Sequence, residues 1–228
     1  IIMVDTKGII YAERKDLTKE EDPWKYELAQ KTNAEARKGD ISEAFKGVDA
    51  VVAASKPGPD TIKKEWVKTM ADNSIIFACA NPIPEIWPWE AEEAGARIIA
   101  TGRSDFPNQV NNSLGFPAIF RGVLDVKAKT VTDDMCIAAA QELARFAEER
   151  GMHEKDILPR MEEWEVFPQE AVACALKSID QGVARAKLSR QELYERASAI
   201  IKNARESTQL LMKHGLIRQP PPEEKLLK

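Results

Sequence analysis

Two asparagine-bearing loops hold the residues whose types and spacing can do chemistry in this chain. The first is Ala80-Asn81-Pro82-Ile83-Pro84-Glu85; the second runs from Thr101 through Arg103, Asp105 and Asn108-Gln109-Val110-Asn111-Asn112. Each follows a short apolar run, Ile75-Ile76-Phe77-Ala78 in one case and Ile98-Ile99-Ala100 in the other. In an open parallel sheet, ligands bind outside the carboxyl ends of the strands. An asparagine amide donates and accepts at once, which suits a substrate carrying both hydroxyl and carboxylate oxygens. Asn and Pro also build plain turns. Two such loops on successive strands, with Asn81, Asn111 and Asn112 placed to converge, point to a site rather than to turns alone.

The elements that must position these loops are legible as alternating patterns. Residues 1–4, 48–54, 74–80 and 97–101 form short apolar runs of the buried, parallel-strand type. Helical patterns fall between them, over 41–46 after Asp40, 61–70 after Asp60, and 86–93. Alternating strand and helix predicts an α/β fold with a Rossmann-like, doubly wound parallel sheet. The phosphate-binding run G-x-G-x-x-G belongs after the first strand of such a sheet, and it occurs nowhere here. Asp5 instead ends the first apolar run, where the second strand of a Rossmann unit carries its ribose-binding acid. The expectation is therefore a partial fold that lacks its first strand, glycine turn and helix. A different α/β topology without the fingerprint is the alternative.

Beyond Asp133 the pattern becomes helical. Asp133 and Asp134 are candidate caps for an amphipathic helix over 135–149, which Gly151 ends. A Trp-bearing connector over 156–165 leads to a helix over 169–186. Ser189 with Glu192 forms a capping box for a further helix reaching about His214. The expected organisation is a partial Rossmann domain over 1–131, a helical carboxyl-terminal region over 132–218 packing on it, and a mobile Pro-rich tail over 219–228.

Composition narrows the function. The 228 residues are 43% hydrophobic and 31% charged, which is ordinary for a globular chain. A net charge of −4 with interspersed Lys and Glu argues against a nucleic-acid partner. No apolar run approaches the ~18 residues that cross a bilayer, so no membrane partner and a cytoplasmic location are expected. Cys79, Cys136 and Cys174 are scattered and odd in number, which fits a reducing compartment and no zinc pattern. Cys79 reads as a small core residue inside a strand. His153 and His214 fall near helix ends, where surface or capping roles suit them, and no Ser-His or Cys-His nucleophile is found.

Both loops also carry a resemblance. Ser74-Ile75-Ile76-Phe77-Ala78-Cys79-Ala80-Asn81-Pro82-Ile83-Pro84-Glu85 and the loop ending Asn108-Gln109-Val110-Asn111-Asn112, followed by Leu114-Gly115-Phe116-Pro117, resemble the nicotinamide-binding domain of malic enzyme in its short prokaryotic form. The similarity runs from about Ile2 to Val131, and more loosely to Arg185. It implies an NAD(P)-dependent enzyme that converts L-malate to pyruvate and CO2. In that reaction malate loses a hydride to give oxaloacetate. A divalent Mg or Mn stabilises the enolate formed on decarboxylation, and a general acid then protonates it.

The resemblance also implies roles for individual residues. Asp5 would meet the ribose hydroxyls, with Thr6 and Lys7 beside the 2′ position. Lys7 would balance the 2′-phosphate of NADP, whereas Asp5 repels it, so the preference for NADP over NAD is modest. The Ser55 turn would pass the nicotinamide end, or be no more than a strand-to-helix turn. Asn81 would touch substrate and nicotinamide ribose, Asn111 the cofactor, and Asn112 the substrate. Asn112 could equally cap the following helix. Arg103 and Asp105 could clamp substrate or only pair with each other. The family's acid–base pair and metal ligands belong to an amino-terminal domain, so no catalytic residue and no metal ligand is placed in this chain. A homo-oligomer is expected. A non-catalytic dinucleotide- or protein-binding module, or another NAD(P)-dependent dehydrogenase of similar fold, remains open.

Overall fold

The computed structural model describes residues 1–220, in two compact units, Ile1–Thr101 and a second that begins at Gly102. The expected mobile tail lies almost wholly outside the described residues.

The first unit contains a three-stranded parallel sheet in the order β3-β4-β5, formed by Ala50–Ala53, Ile75–Ala78 and Ile98–Thr101. Its register aligns Val51, Ile76 and Ile99 across the ladder, and Val52, Phe77 and Ala100 beside them. Because side chains alternate along a strand, these two rows face opposite ways. Ile76 and Ala78 are fully buried under a cluster built by α2 (Ile41–Phe45), α3 (Lys64–Val67) and α4 (Pro88–Glu93). Asp40 starts α2, its carboxylate accepting from the Ser42 and Glu43 N–H groups. The helix expected over 61–70 shrinks to the single turn of α3, with Lys63 as an uncapped start.

Two strand expectations need correction. The run over 1–4 is not a buried parallel strand. Val4–Asp5 (β1) pairs antiparallel with Gly8–Ile9 (β2), a separate two-stranded ribbon. Gly8 has a φ of +108°, and a Cβ there would lie 2.4 Å from the Gly39 carbonyl oxygen, so glycine alone fits this tight approach. The β3 run is apolar but not buried on both faces, since Val52 is 76% exposed. Among the described residues β3 has a partner on one side only, so its outer edge and one face stay open. A further helix, α1 (Pro23–Lys31), was not foreseen; Asp22 caps it, and its Ala29 packs with Ile10 and Leu17.

The second unit is helical, with α5 (Phe116–Asp125), α6 (Asp133–Arg150), α7 (Val166–Asp180) and α8 (Arg190–Lys213). α7 is its centre, packing against α5, α6 and α8. Thr132, not Asp133 or Asp134, caps α6, its hydroxyl accepting from the Met135 N–H; the two aspartates occupy the first turn. There they oppose the positive end of the helix dipole. Gly151 ends α6, and the Ser189–Glu192 capping box opens α8. The helix expected over 169–186 lies over Val166–Asp180, with Glu165 at its start.

Candidate functional site

In the first unit the carboxyl ends of β3 and β4 lead into the Ser55 turn and the Asn81 loop, and one side chain joins the two. Glu85 is fully buried. Its Oε1 accepts from the Ser55 N–H at 2.8 Å and the Ser55 hydroxyl at 3.0 Å, while Oε2 accepts from the Ala80 N–H at 3.0 Å. Two backbone bonds reinforce the join, from the Gly58 N–H to the Ile83 carbonyl (3.3 Å) and from the Ile62 N–H to the Glu85 carbonyl (2.9 Å). Sequence reasoning quoted Glu85 in a motif but gave it no role. Its signal was an acid in a Pro-stiffened loop following a buried strand.

Asn81 follows Ala80 directly and is exposed. Its amide makes no hydrogen bond among the described residues, so donor and acceptor remain available. Ser55 has its N–H and hydroxyl proton committed to Glu85, which leaves the hydroxyl lone pairs and the carbonyl for a ligand. Cys79 lies one residue past β4 and is half-buried rather than inside the strand. Burial first, then the Glu85 charge, pushes its thiol up, which disfavours the nucleophilic thiolate.

At β1 the sequence identified Asp5, Thr6 and Lys7 but missed Arg14. Arg14 is 7% exposed and forks onto Asp5, with Nη1 to Oδ1 at 2.9 Å and Nη2 to Oδ2 at 2.6 Å. It also binds Asp16 through Nε at 2.8 Å. The Lys7 N–H donates to Asp5 Oδ1 at 2.9 Å, and Lys7 Nζ pairs with Asp16 at 2.8 Å. Lys25 Nζ lies 3.7 Å from Asp5 and 3.0 Å from Asp22. Three cations and three carboxylates therefore share one neighbourhood, and Thr6 stands exposed in the turn beside them. The Arg14 hydrogen bond, opposed by burial, holds Asp5 below the usual carboxylate range. An oriented, charged carboxylate of this kind can accept from sugar hydroxyls.

The second unit carries the other loop. Asn111 caps a short 3-10 turn over Asn112–Leu114; its Oδ1 accepts from the Ser113 N–H (2.9 Å) and hydroxyl (2.7 Å). Its Nδ2 donates to the Gly102 carbonyl at 3.1 Å. The capping role expected of Asn112 thus falls to Asn111, whereas Asn112 is exposed and its side-chain amide has no partner among the described residues. Asn108 anchors the loop, donating to the Glu154 carbonyl and accepting from the Ile157 N–H. Arg103 and Asp105 form a forked pair at 2.8 and 2.6 Å. Asn81 belongs to the first unit, Asn111 and Asn112 to the second.

Elsewhere, His153 is exposed beside Asp156 and His214 ends α8. Among the described residues no three His, Cys, Asp or Glu side chains cluster as a metal set. No described helix is long and apolar enough to cross a membrane.

Comparison with known proteins adds the family. Residues 1–179 match the model of the malic enzyme NAD-binding domain. The chain is 43% identical over 185 residues to the NAD-dependent malic enzyme of Geobacillus stearothermophilus, covering 81% of this chain and 37% of that protein. It is 38% identical over 200 residues to the NADP-dependent malic enzyme of Halomonas elongata, covering 81% and 45%. The crystal structure of Entamoeba histolytica malic enzyme superposes with a TM-score of 0.90 at 46% identity, over 97% of this chain and 46% of that one. The chain therefore spans about half or less of each of these relatives.

Proposed function

The chain belongs to the malic enzyme family and carries its NAD-binding domain, and from that premise we propose that it is the dinucleotide-binding part of an enzyme oxidising and decarboxylating L-malate to pyruvate and CO2. The match over residues 1–179 carries the reading. The dinucleotide is NADP or NAD, with Asp5 receiving the adenine-ribose hydroxyls and Lys7, beside Thr6, favouring a 2′-phosphate. The donor set fits such a group, because Asp5 is held ionised and oriented by Arg14. When bound, the nicotinamide supplies the hydride acceptor and a divalent Mg or Mn supplies the Lewis acid.

The chain's own residues bind and orient. Asn81 presents its free amide to the substrate and nicotinamide ribose, next to the Ser55 turn. Asn112 presents its free amide to malate, and Asn111 shapes the turn that carries it near the cofactor. General acid, general base and metal ligands lie in an amino-terminal domain of the whole enzyme, which acts as a cytoplasmic homo-oligomer.

The test is dinucleotide reduction by a polypeptide joining this chain to its amino-terminal domain, supplied with L-malate and Mn²⁺. Pyruvate should form in step with reduced cofactor, and the 228-residue chain alone should give neither. A folded full-length protein that reduces no cofactor sinks the reading.

A further inference from the structure

We infer that Glu85 is a positioning residue that locks the Ser55 turn and the Asn81 loop into one rigid ligand-facing ledge. The inference rests on the reading above, that these loops meet dinucleotide and malate.

Burying a carboxylate is costly unless its charge is well compensated. Glu85 is fully buried and makes no ion pair among the described residues. Its compensation is three neutral donors: two from Ser55 on one oxygen and one from Ala80 on the other. Those donors come from turns that follow neighbouring strands, with Ala53 and Ala78 in register across β3 and β4. Only an acceptor with two oxygens satisfies both. A glutamine in the same place turns its NH2 group toward a donor N–H on one side, so one loop loses its anchor. Because Ala80 directly precedes Asn81, release on that side displaces the exposed Asn81 amide. Release on the other side frees Ser55. A side chain holding both loops therefore acts on ligand geometry without touching ligand itself.

The experiment compares Glu85→Gln and Glu85→Asp with wild type in the full-length enzyme. The first keeps reach and loses the second acceptor; the second keeps charge and loses reach. Gly122→Ala, in the second unit, serves as a control that lowers stability alone. Thermal midpoint, dinucleotide affinity from tryptophan fluorescence, and the KM and kcat for malate are measured for each. A lost hydrogen bond to a charged group is worth roughly ten-fold or more. Either Glu85 variant that folds should therefore raise the malate KM or weaken dinucleotide binding about ten-fold, with a thermal midpoint no lower than that of the control. Unchanged KM and affinity beside a lowered midpoint would make Glu85 merely structural and overturn the inference alone. Wild type that neither binds dinucleotide nor turns over malate would overturn the functional reading, and this inference with it.

Discussion

At the scale of single residues, the difference between a committed and an available side chain separates the asparagines. Asn111 has both ends of its amide engaged within its own loop, whereas Asn112 and Asn81 have neither. Sequence alone treats the three alike, because a cap and a ligand contact call for the same amide chemistry. Lys7 is more ambiguous. It is 67% exposed and already paired with Asp16, so a 2′-phosphate must compete with that carboxylate. Lys7→Ala should raise the KM for NADP by about two- to five-fold, the worth of an exposed ion pair, and leave that for NAD nearly unchanged. The difference should shrink at high salt, where such pairs are screened. An unaltered NADP-to-NAD ratio in steady-state kinetics would mark Lys7 as a solvated turn residue, leaving Arg14 and Lys25 as the nearby cations.

Element packing supplies a sharper test. A Cβ on Gly122 of α5 would lie 2.3 Å from the Ala171 carbonyl oxygen and 3.1 Å from the Ala175 nitrogen, both backbone atoms of α7. Helix propensity by itself favours alanine over glycine by ~1 kcal/mol. Overpacking costs ~1–3 kcal/mol, and here the obstacle is backbone that cannot rotate away, so packing wins. Gly122→Ala should lower the thermal midpoint by about 2–4 °C per kcal/mol lost, read by circular dichroism. An unchanged or raised midpoint would mean that α5 and α7 do not approach this closely. The end of α6 and the start of α8 were legible because their signals are local: Gly151, and Ser189 with Glu192, act within a few residues. The choice of Thr132 over Asp133 was not legible, since any of the three can cap.

For the whole molecule, pH dependence brings opposing contributions together. Asp5 is held below its ordinary range, chiefly by its hydrogen bond from Arg14. Its contribution is present above its unfolded pKa and is lost as pH falls through the folded one. Glu170 has the opposite sign. It is fully buried, neither carboxyl oxygen has a hydrogen-bond partner among the described residues, and burial pushes its pKa up from 4.5 to about 9. The neutral folded form is thus fully favoured below 4.5, and that stability is lost as pH rises from there through about 9. Glu170→Gln should match wild type near pH 4 and exceed it increasingly toward pH 9, by some degrees in thermal midpoint at ~2–4 °C per kcal/mol. Midpoint differences that do not vary with pH would show that Glu170 is ionised in the folded protein.

The sequence by itself determined the parallel sheet, the loops at its strand ends, the starts of α2 and α8, and the family. Each of these rests on local pattern: apolar runs, caps, and an Asn-rich loop of specific composition. Only the tertiary structure decided that the first apolar run forms an antiparallel ribbon, because its partner, Gly8–Ile9, is chosen by the turn and by the approach to Gly39. It alone gave Arg14 to Asp5 across nine positions and Glu85 to Ser55 across thirty. Such pairings leave no periodic trace in a chain, since what selects them is the direction in which folded loops aim their donors.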